Sequence, residues 1–130
     1  GFDIEKQENR VFKISRIERV SVLEDGWAYE DKHQRSKTDC FRISGFTQTA
    51  VKLELSMMAK NLLLEEFPLA EKDLKLIDNR WVLDTMVSGM EGVGRFVIGL
   101  ASEVKIIDSP ELTKYIKLYV ENYLKNYLNS

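Results

Sequence analysis

The stretch that most narrows the folds open to this chain runs from Arg95 to Leu112, Arg-Phe-Val-Ile-Gly-Leu-Ala-Ser-Glu-Val-Lys-Ile-Ile-Asp-Ser-Pro-Glu-Leu. Phe96, Val97 and Leu100 recur at the spacing of about 3.6 residues that marks a helix. Val104 and Ile106 alternate with Lys105 and Ile107 at the period of about 2 that marks a strand. The change near Ala101 to Glu103 predicts a helix running into a strand with almost no linker. Ser109 then precedes Pro110, a helix-start signal: the serine hydroxyl can accept an orphan backbone N–H, and proline tolerates the first helical position.

Upstream of this stretch the same reading predicts the rest of a small domain over 47–130. Val51, Leu53 and Leu55 alternate with Lys52 and Glu54 as a half-buried strand, and Ser56 caps a helix carrying Ala59, Leu62, Leu63 and Phe67 until Pro68 ends it. Leu74–Ile77 and Trp81–Val87 are expected as two strands around the turn Asp78-Asn79, with Trp81, Leu83, Thr85 and Val87 on one face. The order strand, helix, strand, strand, helix, strand, closing helix is that of an α+β fold with a ferredoxin-like βαββαβ antiparallel sheet. Both helices are expected on one face, leaving the other for a ligand or partner. The last helix carries Leu112, Tyr115, Ile116, Tyr119, Val120, Tyr123, Leu124, Tyr127 and Leu128 on one side. So wide a stripe must cover the sheet or pack on another subunit, and Tyr115, Tyr119 and Tyr123 are its candidate dimer or core face.

Residues 1–46 read differently. Gly1–Asn9 is polar and unpatterned, with Gly1 read as a residue left at a cut end. Val11–Ile14 and then Ile17, Val20 and Val22 suggest two short strands, which need a larger sheet to join. Residues 1–23 are therefore expected to be a fragment, and 24–46 a polar connector anchored by Trp27, Tyr29 and Phe41, with a short helical turn at Asp39-Cys40-Phe41.

Composition sets limits. With 44% apolar and 31% charged residues the chain can bury a core, and a net charge of -2 gives no global field for holding nucleic acid or an acidic membrane. The single Cys40 excludes an intramolecular disulfide, and no apolar run approaches the roughly 18 residues that span a bilayer, so a cytoplasmic protein without membrane contact is expected. His33 is the one histidine and has no evident nucleophile partner, Cys40 reads as a small buried apolar residue, and the carboxylates lack metal-ligand spacing. No enzyme activity, cofactor or metal is expected. Gly89, Gly92 and Gly94 lie between strand and helix but match neither the dinucleotide nor the P-loop spacing, and are read as a flexible turn. An RNA-binding sheet would need an aromatic and basic motif that the central strands lack.

Several of these residues resemble a known family. Arg10-Val11-Phe12-Lys13-Ile14-Ser15-Arg16-Ile17 is similar to the last strands of a WYL domain. Ser56, Pro68-Leu69, Arg95, Gly99, Val104, Ile106 and Pro110-Glu111-Leu112 fall in register with the C-terminal extension, often called WCX, of bacterial WYL-domain transcriptional regulators. The resemblance implies that 1–23 are C-terminal strands of an Sm-like WYL domain and that 47–130 is a WCX-like domain. It implies a regulatory region that senses an effector and dimerises, with operator DNA bound by a winged helix-turn-helix outside this chain. A nucleic acid or nucleotide is the implied effector, and the implied assembly is a homodimer. Arg10, Arg16 and, more weakly, Arg19 would contact the effector from the WYL strands, since a guanidinium fork holds a phosphate through two parallel bonds. Their bland reading is a solvated strand edge. Arg95, placed in the first turns of a helix after glycines, is the candidate in the second domain. Arg80, beside Trp81, could offer a charge next to a stacking ring. The alternatives are a pure oligomerisation module whose arginines hold nothing and a stand-alone small-molecule-binding domain.

Overall fold

The computed structural model describes residues 2–6, 8–10, 18–21 and 35–128. Arg16, the strand expected over Val11–Ile14, Trp27, Tyr29 and His33 lie outside the described residues. Two residue pairs near the amino terminus, β1 (Phe2–Asp3) and β2 (Glu8–Asn9), form an antiparallel ladder where an unpatterned end was expected. The second expected strand lies partly outside the described residues, with Ile17 and Val22 beyond them; its described part, Glu18–Ser21, carries no regular structure, and Val20 is 78% exposed.

The core is built on β5 (Thr49–Leu55), whose inward side chains Val51, Leu53 and Leu55 are buried while Lys52 and Glu54 face the other way. After it come α1 (Met57–Glu66), β6 (Leu74–Ile77), β7 (Arg80–Val87), α2 (Met90–Gly99), β8 (Val104–Ile107) and α3 (Pro110–Tyr119). The strand order is β6-β7-β5-β8, every neighbouring pair antiparallel. Leu53 sits opposite Leu83 on β7 and Ile106 on β8, so three apolar side chains cross the sheet in one row. Ala59 and Leu63 of α1, Val93, Phe96 and Val97 of α2, and Leu112 of α3 pack on this row in one core. The helices thus share one face. Each fully buried leucine there, Leu53, Leu63, Leu83 or Leu112, contributes about 1.5–3 kcal/mol.

Local chemistry explains the joints. Ser56 Oγ accepts the Ala59 N–H at 3.1 Å, capping α1 as its sequence predicts, and Ser56 N–H donates to the Glu103 carbonyl, tying the end of β5 to the entry of β8. Leu62, expected on the apolar face of α1, is instead 39% exposed, because Ala59 and Leu63 fill the contact with the sheet. Asp78 and Asn79 both take positive φ, 50° and 63°, the geometry of a two-residue hairpin turn between β6 and β7.

Three expectations are corrected. The glycines before Arg95 are no flexible turn: Gly92 and Gly94 lie inside α2, where an added Cβ would come within 2.7 Å of Phe41 Cβ and 2.5 Å of Tyr115 Cε1. They are glycines because neighbours press against the helix there. Arg95 therefore sits in the second turn of α2, away from its orphan N–H groups. Ser109 precedes α3 but does not cap it through its side chain; Oγ accepts the Lys52 N–H at 2.9 Å and donates to the Ile107 carbonyl at 2.8 Å.

Part of the expected connector belongs to the core. β3 (Lys37–Thr38) and β4 (Ser44–Gly45) form a ribbon whose tip places Cys40 and Phe41 in the hydrophobic cluster. The tip is closed by an Arg42 N–H donating to the Asp39 carbonyl, a hairpin turn in place of a helical one. The closing helix continues past α3 through a π-helical turn, Val120–Leu124, into α4 (Lys125–Leu128). Its first turns are docked, with Leu112 fully buried and Tyr115 and Ile116 half-buried, whereas Tyr123, Tyr127 and Leu128 are 58%, 78% and 84% exposed.

Candidate functional site

The expected site arginines end up in different places. Arg10 is half-buried just after β2, and Arg19 is exposed. Arg80 lies on the sheet face opposite the helices, where Nη1 donates to Glu54 Oε1 at 2.9 Å across the β5–β7 pair. So exposed a pair adds little stability, and it engages one of the five donors of the guanidinium. Trp81, the next residue along the strand, turns to the opposite face, and the cation over its ring is Lys60, with Nζ 4.7 Å from the centroid. Arg80 and Trp81 nonetheless border one cleft of about 410 Å³, with Glu54, Ser56, Ser102 and Lys105.

Arg95 is exposed on α2 and lines a cleft of about 290 Å³ with Arg42, Phe41, Phe67 and Phe96. Arg80 lines a separate depression of about 480 Å³ with Lys52, Ile77 and Val82 on the open sheet face. The structure thus divides the two arginines and brings Arg95 together with one that sequence reading passed over. Arg42 was missed because it sits in a stretch with no periodicity. The faint signal was Asp39 followed by Ser44-Gly45, turn residues that hint at a tight ribbon.

Asp39 organises the ribbon tip. Its Oδ1 accepts the N–H groups of Phe41 at 2.9 Å and Ile43 at 3.1 Å, and its Oδ2 accepts the Ser88 N–H at 2.8 Å, pinning the ribbon to the end of β7. The clamp on both neighbours holds Arg42 at φ 67°, in the left-handed region that side chains other than glycine seldom adopt. From there Arg42 lies 5.4 Å over the Phe67 ring and donates through Nη2 to the Glu66 carbonyl at 2.9 Å. It thereby satisfies a terminal carbonyl of α1, whose own last turn has no basic residue. Below, Phe41 packs edge-on against Phe67, with centroids 5.1 Å apart, and beside Phe96 at 5.9 Å.

Arg95 has no hydrogen-bond acceptor or ion-pair partner among the described residues. The amino terminus of α2 is a poor anion site, since Gly89 offers no capping side chain and the Glu91 carboxylate folds over it. The chemistry of the cleft rests on its two guanidinium groups.

Cys40 lines another cleft, about 520 Å³, with Asp73, Asp84 and Thr85. Burial pushes its thiol up to about 11; a hydrogen bond with Thr85 opposes this, and the carboxylates of Asp39 and Asp73 reinforce it. Such a thiol stays protonated near neutrality and is a weak nucleophile. No group of three His, Cys, Asp or Glu among the described residues could hold a metal, and no described helix is long and apolar enough to cross a membrane.

The tyrosines form a ladder along the closing helix, with ring centroids 6.1 Å apart for Tyr115 and Tyr119 and 5.0 Å for Tyr119 and Tyr123. Tyr115 packs on Gly94 and so belongs to the α2–α3 seam, while Tyr123 faces outward. Comparison with protein-family models, with curated proteins and with solved structures gave no match.

Proposed function

We propose that this chain is the regulatory C-terminal region of a bacterial WYL-type transcriptional regulator, a non-catalytic part that senses an effector and joins a homodimer. Operator DNA is read by a winged helix-turn-helix domain outside this sequence. The residues that carry the family resemblance stand at structural joints: Ser56 caps α1, Pro68 follows its end, and Pro110 opens α3 with Leu112 buried beneath it. The strand order β6-β7-β5-β8, with helices after β5 and β7, supports the finer description of the sheet as ferredoxin-like.

The single observation that carries the sensing role is Arg95, unpaired among the described residues, beside a second arginine in a cleft on the helical side. An effector that binds there changes DNA affinity only if it favours one dimer arrangement over the other; affinity alone shifts nothing. The apolar residues Leu118, Tyr123, Tyr127 and Leu128, all exposed, support the assembly role and equally favour the second reading, a pure oligomerisation module.

Calorimetric titration with a short single-stranded oligonucleotide and with nucleoside monophosphates separates the two. Sensing predicts saturable heat for at least one of them, lost in Arg95→Ala. A dimer by sedimentation that gives no heat with any of these ligands identifies the module.

A further inference from the structure

We infer that Arg42 and Arg95 together form a subsite for a compact terminal oxyanion, a phosphate or a carboxylate, with Arg42 as its second charged contact; this rests on the reading of Arg95 as an effector contact. Capping α1 uses one of the five N–H donors of Arg42, so the guanidinium keeps donors for a ligand. A cap alone does not require this geometry, because a basic residue in the last turn of α1 would reach the same carbonyl from ordinary helical backbone. Instead the chain holds Arg42 in the left-handed region, bracketed by two amides that a single carboxylate oxygen clamps. Backbone of this kind persists where surrounding structure fixes it, and here it aims a guanidinium at the cleft that Arg95 borders.

Size and lining set the ligand class. At about 290 Å³ the cleft is at the lower limit of small-molecule sites, enough for the end of a ligand and not its whole body. Phe41 and Phe96 are buried beneath it, an apolar floor that strengthens charge-assisted bonds above. Glu66 is the one carboxylate in the lining and forms no ion pair within 4.0 Å with either arginine among the described residues, so the lining keeps a net positive charge. Gly92 lets the ribbon lie directly on α2, closing the cleft on that side.

The test is calorimetric titration of the whole chain with inorganic pyrophosphate, for a terminal phosphate, and with propionate, for a carboxylate. One of the two is expected to bind saturably, one per chain, and about tenfold or more weakly in both Arg42→Gln and Arg95→Gln, with Arg80→Gln unchanged. Arg42→Lys, which keeps the charge and loses the fork, is expected to melt like the parent and still bind more weakly. No saturable binding of either anion, binding that survives Arg42→Lys and Arg42→Gln, or an equal loss in Arg80→Gln would overturn the subsite. Pyrophosphate binding that needs both arginines, with no response to oligonucleotide or nucleotide, keeps the subsite and removes the nucleic-acid reading. Oligonucleotide binding indifferent to Arg42 does the reverse.

Discussion

Gly94 and Gly99 lie in the same helix and make opposite predictions. Alanine at Gly99 meets open space, so Gly99→Ala should stabilise the fold by about 0.5–1 kcal/mol through helix propensity. Alanine at Gly94 would place a methyl 2.5 Å from Tyr115 Cε1 and push the ring out of the α2–α3 seam, so Gly94→Ala should destabilise by about 1–3 kcal/mol despite the same propensity gain. Urea midpoints of the two variants decide it. Cys40 makes a prediction in pH. Its folded thiol titrates near 11 against an ordinary value of 9.0, so the folded state holds the proton that the unfolded state has released between those values. Stability is whole below about pH 9 and falls as pH rises towards 11, a slope that should vanish in Cys40→Ala. At pH 8 a disulfide reagent should label Cys40 far more slowly than it labels a small free thiol.

At the scale of elements, the hydroxyl of Ser109 links three of them: the Lys52 amide of β5, the Ile107 carbonyl of β8 and the start of α3. Ser109→Ala leaves a part-buried amide without its acceptor and should cost about 1–3 kcal/mol, against about 1 kcal/mol for losing the Ser56 cap. Chemical denaturation of both variants at equal slope tests the ranking. Most elements from Thr49 onward were legible in the sequence because their periods are clean: alternation in Val51–Leu55 and Trp81–Val87, and Asp78-Asn79 as turn residues that tolerate positive φ. What escaped was contact made at a distance. The composition of Gly92 and Gly94 says turn, and only the nearness of Phe41 and Tyr115 explains why glycine stands at these helical positions. Likewise Ser109 has the residue type of a cap, but an amide 57 residues away claims its oxygen.

For the whole molecule, three helices pack on one side of a four-stranded sheet, and among the described residues no helix covers the other side. That second face carries Arg80 in its ion pair with Glu54, while the cleft with Arg42 and Arg95 lies between the ribbon, α1 and α2. The layering was readable from element order alone. The cleft was not, because it depends on a ribbon from the polar stretch before Thr47 docking on α2, and no local pattern announces that. Amide hydrogen exchange on the intact chain, with and without saturating pyrophosphate, tests the central claim most directly. Slowed exchange over Phe41–Ile43, Glu66–Phe67 and Gly92–Phe96, with Asp78–Arg80 unchanged, is the predicted result. Unchanged exchange at the cleft, or protection confined to the second face around Arg80 and Lys52, would contradict it.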